Sequence, residues 1–312
     1  MAWTVADIPP QDGRLAVVTG ANGGLGLATA MALAGRGAHV VMAARNQDKA
    51  LAACAEILRA HPDAVLDIVP LDLGSQASIE TAATQILRDH PVIDLLVNNA
   101  GLMAMPERQT EDGYEMQFGV NHLGHWALTA RLLPALLRAD AARIVTVTSF
   151  ARLMGRTVDP ADPHLRVGYG AWTAYGQSKL ANYVFGVGLQ REFASRGLNA
   201  RSLVAHPGLT HSELQVKTVE EGGGGWSAGL WAWLARTAGM SVEQGSLPQL
   251  RAVTDPRPTG RRLYAPRYLT MGPATARPLL RPRLDRAIET LWQVSERETG
   301  LALDLDAASA GV

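Results

Sequence analysis

With 312 residues and a mass of 33.3 kDa, the chain is long enough for one large α/β domain or two small ones. Its 29 basic and 29 acidic residues cancel, which removes the long-range field that binding to nucleic acid or an anionic membrane would exploit; a small, locally recognised ligand is expected instead. The single cysteine, Cys54, excludes an intrachain disulfide framework and suits a reducing compartment, and it is expected to be a small buried hydrophobe.

The opening stretch MAWTVADIPPQDG has no basic n-region, apolar core or cleavage pattern, so no signal peptide is expected. No run of about 18 apolar residues is free of polar or glycine interruption, so neither a membrane span nor any location but the cytoplasm is expected. From residue 14 onward, short runs rich in β-branched residues alternate with segments of helical length. The runs are RLAVVTG (14–20), AHVVMAAR (38–45), VLDIVPLDL (65–73), VIDLLVNNAG (92–101), RIVTVTS (143–149) and NARSLVAHPG (199–208). This alternation predicts a single doubly wound α/β domain of the Rossmann type, with a mainly parallel sheet covered on both faces. Ligands of such a sheet bind beyond the carboxyl ends of its strands.

After residue 208 the pattern is less regular. A substrate-covering segment is expected over about 209–240, where EEGGGG (220–225) is a flexible joint and Trp226, Leu230, Trp233 and Leu234 share one helical face. That helix fits a core-packed element, a mobile cover or, more weakly, a membrane-surface helix. GRRLYAP (260–266) predicts one last strand, the Pro- and Arg-rich stretch from Pro256 to Pro282 a loop, DRAIETLWQVSERE (285–298) a closing helix, and LALDLDAASAGV a frayed end. The whole C-terminal extension covers about 267–312.

Chemistry-bearing residues cluster at the strand ends. The first strand runs into TGANGGLGLAT, where glycines at 20, 23, 24 and 26 permit positive φ and let backbone amides approach a diphosphate at a helix N-terminus. Gly20, Asn22, Gly24, Leu25 and Gly26 are the candidates there. At the end of the second strand, Ala43, Ala44 and Arg45 stand where an NAD-selective protein is expected to place an acid. A guanidinium can pair with a 2′-phosphate, so NADP(H) is predicted over NAD(H). Asp72 and Leu73 follow the third strand at the adenine edge, and Asn99, Ala100 and Gly101 follow the fourth.

The sequence holds three lysines (Lys49, Lys179 and Lys217) against 26 arginines, yet Lys179 sits four residues after Tyr175 in YGQSK. At that spacing the two side chains share a helical face. A unit charge about 5 Å from the phenol at an effective dielectric near 20 is worth roughly 3 kcal/mol, or about two pKa units, and this would bring Tyr175 toward neutral pH as a general acid/base. His122 and His125 are also at helical spacing but lack an evident third ligand, so packing is expected rather than a metal. No G-x-S-x-G hydrolase elbow occurs.

TGANGGLG, NNAG at 98–101, Asn121, Ser149, YGQSK at 175–179 and HPG at 206–208, in this order, resemble the motifs of the short-chain dehydrogenase/reductase family over roughly residues 12–265. The resemblance implies an NADP(H)-dependent alcohol/carbonyl oxidoreductase working on a small, mostly apolar molecule. It implies that Ser149 holds the substrate oxygen, that Lys179 also binds the nicotinamide ribose, and that Asn121 serves a water-mediated proton path to Lys179. Pro207, Gly208 and Thr210 or Ser212 would meet the carboxamide, the last two being rival hydroxyls after Pro-Gly. A homodimer or homotetramer is implied as well. YGQSKLAN and the long interval from Ser149 to Tyr175 are similar to the branch of retinol dehydrogenases, WW-domain oxidoreductases and protochlorophyllide reductases. Within that interval, DPADPHLRVGYGAW is expected to form an arm beside the substrate mouth. Retinol dehydrogenases commonly carry a membrane anchor, and none is expected here, so retinoid specificity is not carried over. Two alternatives remain: an NADP(H)-holding sensor or scaffold without turnover, and a nucleotide-sugar epimerase or dehydratase.

Overall fold

A computed structural model of the chain describes residues 2–210, 239–260, 262–279 and 284–310. Ser212, the glycine-rich joint and the Trp-rich segment therefore lie outside the described residues. The elements alternate as the sequence predicts: β1 (Leu15–Thr19), α1 (Gly24–Ala34), β2 (His39–Ala44), α2 (Gln47–Ala60), β3 (Leu66–Pro70), α3 (Gln76–Asp89) and β4 (Leu95–Asn98). A short α4 (Met116–Phe118) passes through a π-helical turn (Gly119–Leu123) into α5 (Gly124–Leu137). Then come β5 (Arg143–Val147), a 3-10 turn at Phe150–Leu153, α6 (Ala171–Ser195) and β6 (Arg201–Ala205). The chain closes with α7 (Val242–Thr254), β7 (Arg262–Pro266), β8 (Ala274–Pro278), α8 (Asp285–Thr299) and α9 (Leu305–Ala310).

The strands form one eight-stranded sheet in the order β3-β2-β1-β4-β5-β6-β7-β8. Strands β1 to β7 are parallel, and β8 pairs antiparallel with β7. Val17 sits between Val41 and Leu96 in register, so the central strands present apolar side chains to both faces. Ile79, Ile86, Leu128, Leu132 and Phe193 cover one face, and Leu33, Ile57 and Leu250 cover the other. Strand order reverses between β1 and β4, which opens the crevice of a doubly wound sheet at their carboxyl ends.

Two expectations for the C-terminal region are corrected. Ala274–Pro278, placed in a loop, is the edge strand β8, with Leu263 opposite Arg277 and Tyr264 opposite Ala276. Proline and arginine mislead here because an edge strand needs only one row of ladder bonds and tolerates both. The final segment is not frayed: Leu305 is buried and Arg196 Nε bonds Asp306 Oδ1 at 2.9 Å. Just ahead of it, Gly300 ends α8 in the left-handed conformation at φ +68°, and Trp126 Nε1 donates to Leu301 O at 2.8 Å. Trp292 of α8 meets Trp126 edge to face, with ring centroids 5.1 Å apart. Among the described residues, no helix is long and apolar enough to cross a membrane.

The arm between Ser149 and Tyr175 also engages the C-terminal region. Two of its residues bond α8: His164 Nε2 meets Glu298 Oε2 at 3.0 Å, and Arg297 Nη1 donates to Pro160 O at 3.0 Å. Gln177 Nε2 of α6 donates to Pro163 O at 2.8 Å from the other side. Charge pairs and backbone acceptors in the arm found partners on the C-terminal helix, which the sequence alone does not place nearby.

Three buried histidines lie outside this network. Burial pushes His122 down to about 3, with the neighbouring His125 adding to the effect. Burial pushes His125 down to about 4, and burial with Arg152 nearby pushes His206 to about 3. Each stays neutral in the fold while the unfolded chain protonates near the ordinary 6.5, so the unfolded state binds more protons as pH falls below that value. Stability present above about pH 6.5 is lost progressively toward pH 4, each histidine contributing on the order of 2 kcal/mol by pH 5. Urea unfolding at a series of pH values checks this, and an unfolding free energy that stays flat between about pH 6.5 and 5 would contradict it.

Candidate active site

The carboxyl ends of β1, β2, β4, β5 and β6 open into a cavity of about 580 Å³. Gly20, Asn22, Gly24, Leu25 and Gly26 line one end of it. Gly20 and Gly24 adopt φ of +68° and +50°, which disfavours any side chain there. A Cβ on Gly24 would meet no atom within 4 Å and would instead fill the cavity; one on Gly26 would sit 2.1 Å from Gly20 O. Gly24 therefore leaves room for a ligand, whereas Gly26 lets α1 approach β1. No side chain caps α1, so its first amides face the cavity as a ready anion site. These features fit a dinucleotide diphosphate.

Arg45 follows β2 directly, is 68% exposed, and holds Nη1 3.7 Å from Asp72 Oδ2. Asp72 in turn accepts from Gly74 N at 2.8 Å through Oδ1. Both Asp72 and Leu73 line the cavity just past β3, which ends at Pro70, slightly earlier than expected. Lys49, on the first turn of α2, lines it too; it was not among the candidates because an exposed helical lysine carries no motif.

Asn99, Ala100 and Gly101 form the floor. The side chain of Asn99 is engaged in the scaffold: Nδ2 donates to Thr19 O at 2.8 Å and Oδ1 accepts from Gln249 Nε2 at 3.2 Å. Thr19 Oγ1 accepts from both Asn99 N and Ala100 N at 3.0 Å, which ties the two central strand ends together. Asn121 lies in the π-helical turn behind this floor and does not line the cavity. Its amide bonds Leu102 N at 2.7 Å, Leu102 O at 2.9 Å and Ser178 Oγ at 2.9 Å. A Cβ on Gly101 would lie 3.0 Å from Asn121 Oδ1 and 3.2 Å from Lys179 Nζ, so one bare Cα faces both side chains.

Ser149, Tyr175 and Lys179 meet on the opposite wall. Ser149 caps the 3-10 turn, accepting from Ala151 N at 3.2 Å, and its hydroxyl stands near enough to the phenol of Tyr175 to act on it electrostatically. Close backbone packing fixes this pair, because a Cβ on Gly155 would lie 2.2 Å from Gly176 O. Lys179 Nζ lies 6.0 Å from the centroid of the Tyr175 ring and donates to Val147 O at 3.3 Å. Tyr175 and Lys179 are only 5% and 4% exposed.

Burial reverses one expectation. The phenol of Tyr175 is pushed up from its ordinary value by burial, with the Ser149 hydroxyl opposing, rather than drawn down by Lys179. The ammonium group is itself pushed down to about 8 by burial. Desolvation penalises both charged forms and outweighs a charge 6.0 Å from the ring centroid.

Pro207, Gly208 and Thr210 line the far end, and Ser212 lies outside the described residues. Gly208 has φ +82°, and a Cβ there would lie 2.7 Å from Thr270 O. The β7–β8 turn thus reaches the cavity, where Thr270 also forms part of the wall. Phe150, Met154, Met103, Trp172 and Leu209 make the remaining wall apolar, with Phe150 and Met154 42% and 59% exposed. Of the stretch DPADPHLRVGYGAW, Trp172 reaches this wall, its ring centroid 6.0 Å from that of Tyr175. His122 and His125 are buried packing groups, His125 bonding Thr19 Oγ1 at 2.9 Å and His122 bonding Ser295 Oγ at 2.8 Å.

Residues 14–222 match the family model for short chain dehydrogenases. The chain is 37% identical to mouse polyprenol dehydrogenase over 305 residues, covering 94% of this chain and 86% of that protein. It is 40% identical to human retinol dehydrogenase 13 over 203 residues, covering 65% of this chain and 60% of that one. A crystal structure of a Mycobacterium paratuberculosis protein superposes with a TM-score of 0.78 at 36% identity, covering 98% of this chain and all of the other. L-sorbose reductase from Gluconobacter frateurii, complexed with NADPH and L-sorbose, shares the fold at a TM-score of 0.64 and 21% identity, over 80% of this chain and 94% of that one. Sheet order, the strand-end cavity and the family match converge: the chain belongs to the short-chain dehydrogenase/reductase family of oxidoreductases.

Proposed function

We infer that the protein is an NADP(H)-dependent oxidoreductase that interconverts an alcohol and its carbonyl on a small, mostly apolar molecule. The observation that carries this reading is the meeting of Ser149 and Tyr175 on one cavity wall, with the buried Lys179 beside the phenol ring. When bound, the nicotinamide dinucleotide supplies or accepts the hydride. The side chains handle the proton and the geometry. Ser149 holds the substrate oxygen against the phenol, and Tyr175 gives the oxygen its proton in reduction or takes it in oxidation. Lys179 holds the adjoining ribose and biases the phenol electrostatically, while Asn121, facing the same bare Cα of Gly101, passes the proton onward through water.

The choice of NADP(H) rests on Ala43, Ala44 and Arg45 in place of an acid after β2, supported by Lys49 as a second cation on the same wall. Asn22, Leu25 and the glycine turn serve the diphosphate, Asp72 and Leu73 the adenine, Ala100 and Gly101 the ribose, and Pro207, Gly208, Thr210 or Ser212 the carboxamide. Relatives named for polyprenol and retinol fit the apolar wall of Phe150, Met154, Met103 and Trp172 and favour an apolar alcohol.

Replacing Tyr175→Phe removes the proton carrier and little volume. Turnover of hydrophobic carbonyls with NADPH is expected to fall by roughly 10²–10⁴ while NADPH still binds, and a variant with full turnover would remove Tyr175 from the reaction.

The raised phenol also sets the pH response. Reduction uses the protonated phenol and is expected to hold across neutral pH and decline in alkali; oxidation uses the phenolate and is expected to rise. Rate profiles in both directions check this, and an oxidation rate that drops from about pH 6 to 9 is the contrary result.

Arg45→Ala is expected to weaken NADPH binding roughly 10- to 100-fold, the value of a charge-assisted hydrogen bond, and to leave NADH nearly unchanged. Equal losses for both dinucleotides would refute the phosphate role.

A further inference from the structure

At the other end of the sheet, three side chains with no part in the cavity converge. His39 is the first residue of β2, Asp67 lies in β3, and His90 caps the carboxyl end of α3. His39 Nε2 and His90 Nε2 both point at Asp67 Oδ2, at 2.7 Å and 3.0 Å. The imidazole rings stand perpendicular with centroids 4.9 Å apart, and the three ligand atoms lie within 4.8 Å of one another. The backbones beneath are pinned: His39 N donates to Arg14 O at 3.0 Å, and His90 N to Ile86 O at 2.7 Å.

We propose that His39, Asp67 and His90 form a binding site for a divalent transition-metal ion of the zinc class. Two imidazole nitrogens and one carboxylate oxygen are a donor set that such ions prefer and that the hard cations calcium and magnesium do not. Ligands on a tetrahedral zinc ion are about 3.3 Å apart, given bonds of about 2.0–2.1 Å, so the observed N···O separations of 2.7 Å and 3.0 Å need to widen by about 0.6 Å and about 0.3 Å. The ion takes the place of the Nε2 protons, and each imidazole stays neutral with its proton on Nδ1. Asp67 is 46% exposed, which leaves the fourth position open to water.

The site is structural in character. It joins the edge strand β3 to β2 and to the end of α3, and the length of β2 separates it from Arg45 by roughly 20 Å. Binding to the folded chain alone raises stability without entering the reaction.

The test is a calorimetric titration of Zn²⁺ into untagged, chelator-treated full-length protein, with thermal unfolding measured alongside. One Zn²⁺ per chain is expected, together with a rise in unfolding temperature that Ca²⁺ does not reproduce. His90→Gln and, separately, His39→Gln are each expected to weaken Zn²⁺ at least about tenfold and to abolish that rise, while turnover stays at the wild-type level. Saturable binding that fails to appear in the wild type, or binding equally strong in both variants, overturns the site. A Ca²⁺ response equal to that of Zn²⁺ overturns the metal class.

Discussion

Burying an ammonium group beside a phenol is the constraint around which the active site is arranged. A lysine that is 4% exposed has lost most of its water, and the carbonyl of Val147 returns part of the solvation. The backbone around it is held tightly: Thr148 Oγ1 donates to Lys179 O at 2.6 Å, and Gly155 and Gly176 let the 3-10 turn and α6 approach to backbone contact. Any larger residue at 155 or 176 would push Ser149 and Tyr175 apart. The bareness of Gly101 serves the same end, because it admits Lys179 and Asn121 to one point from two different elements. Fixed donors cost little reorganisation when a reaction demands charge, and a site of this kind does its work in advance of the substrate.

The same burial sets the resting state of the pair. Near neutral pH the lysine, lowered to about 8, remains mostly charged, and the phenol, raised, keeps its proton. The free protein is thus poised as an acid. A positive charge placed beside the phenol would lower it again.

Much of this was legible in the sequence. Alternating apolar runs and helical segments carried the sheet and its crossovers, because burial on both faces leaves no polar stripe to confuse the period. The strand-end motifs placed Gly20, Arg45, Gly101, Ser149 and Tyr175 on one cavity, because parallel strands deliver every carboxyl end to the same edge. Other features were hidden for identifiable reasons. Lys49 lacks a motif, and Thr270 becomes part of the wall only through a hairpin that Pro and Arg disguise as loop. The rise of the Tyr175 phenol was missed because spacing along a helix gives the distance between charges but not the water removed from around them. Asn99 lines the cavity as expected of its position, but its side chain also bonds Thr19 and Gln249, a role visible only once α7 is folded onto β4.

The C-terminal third is therefore no appendage to the nucleotide-binding half. The turn after β7 supplies Thr270 O, which accepts from Leu209 N at 2.8 Å and lies against Gly208, so the loop after β6 cannot shift without moving the hairpin. On the opposite side, α8 grips the arm that leads into α6 through Glu298 and Arg297, and it packs Trp292 on Trp126 beneath. Both walls of the cavity are thus braced by residues beyond 260. A cavity whose proposed reacting groups, Ser149, Tyr175 and Lys179, all precede residue 180 depends, for the distance between its walls, on described residues far beyond them in the chain.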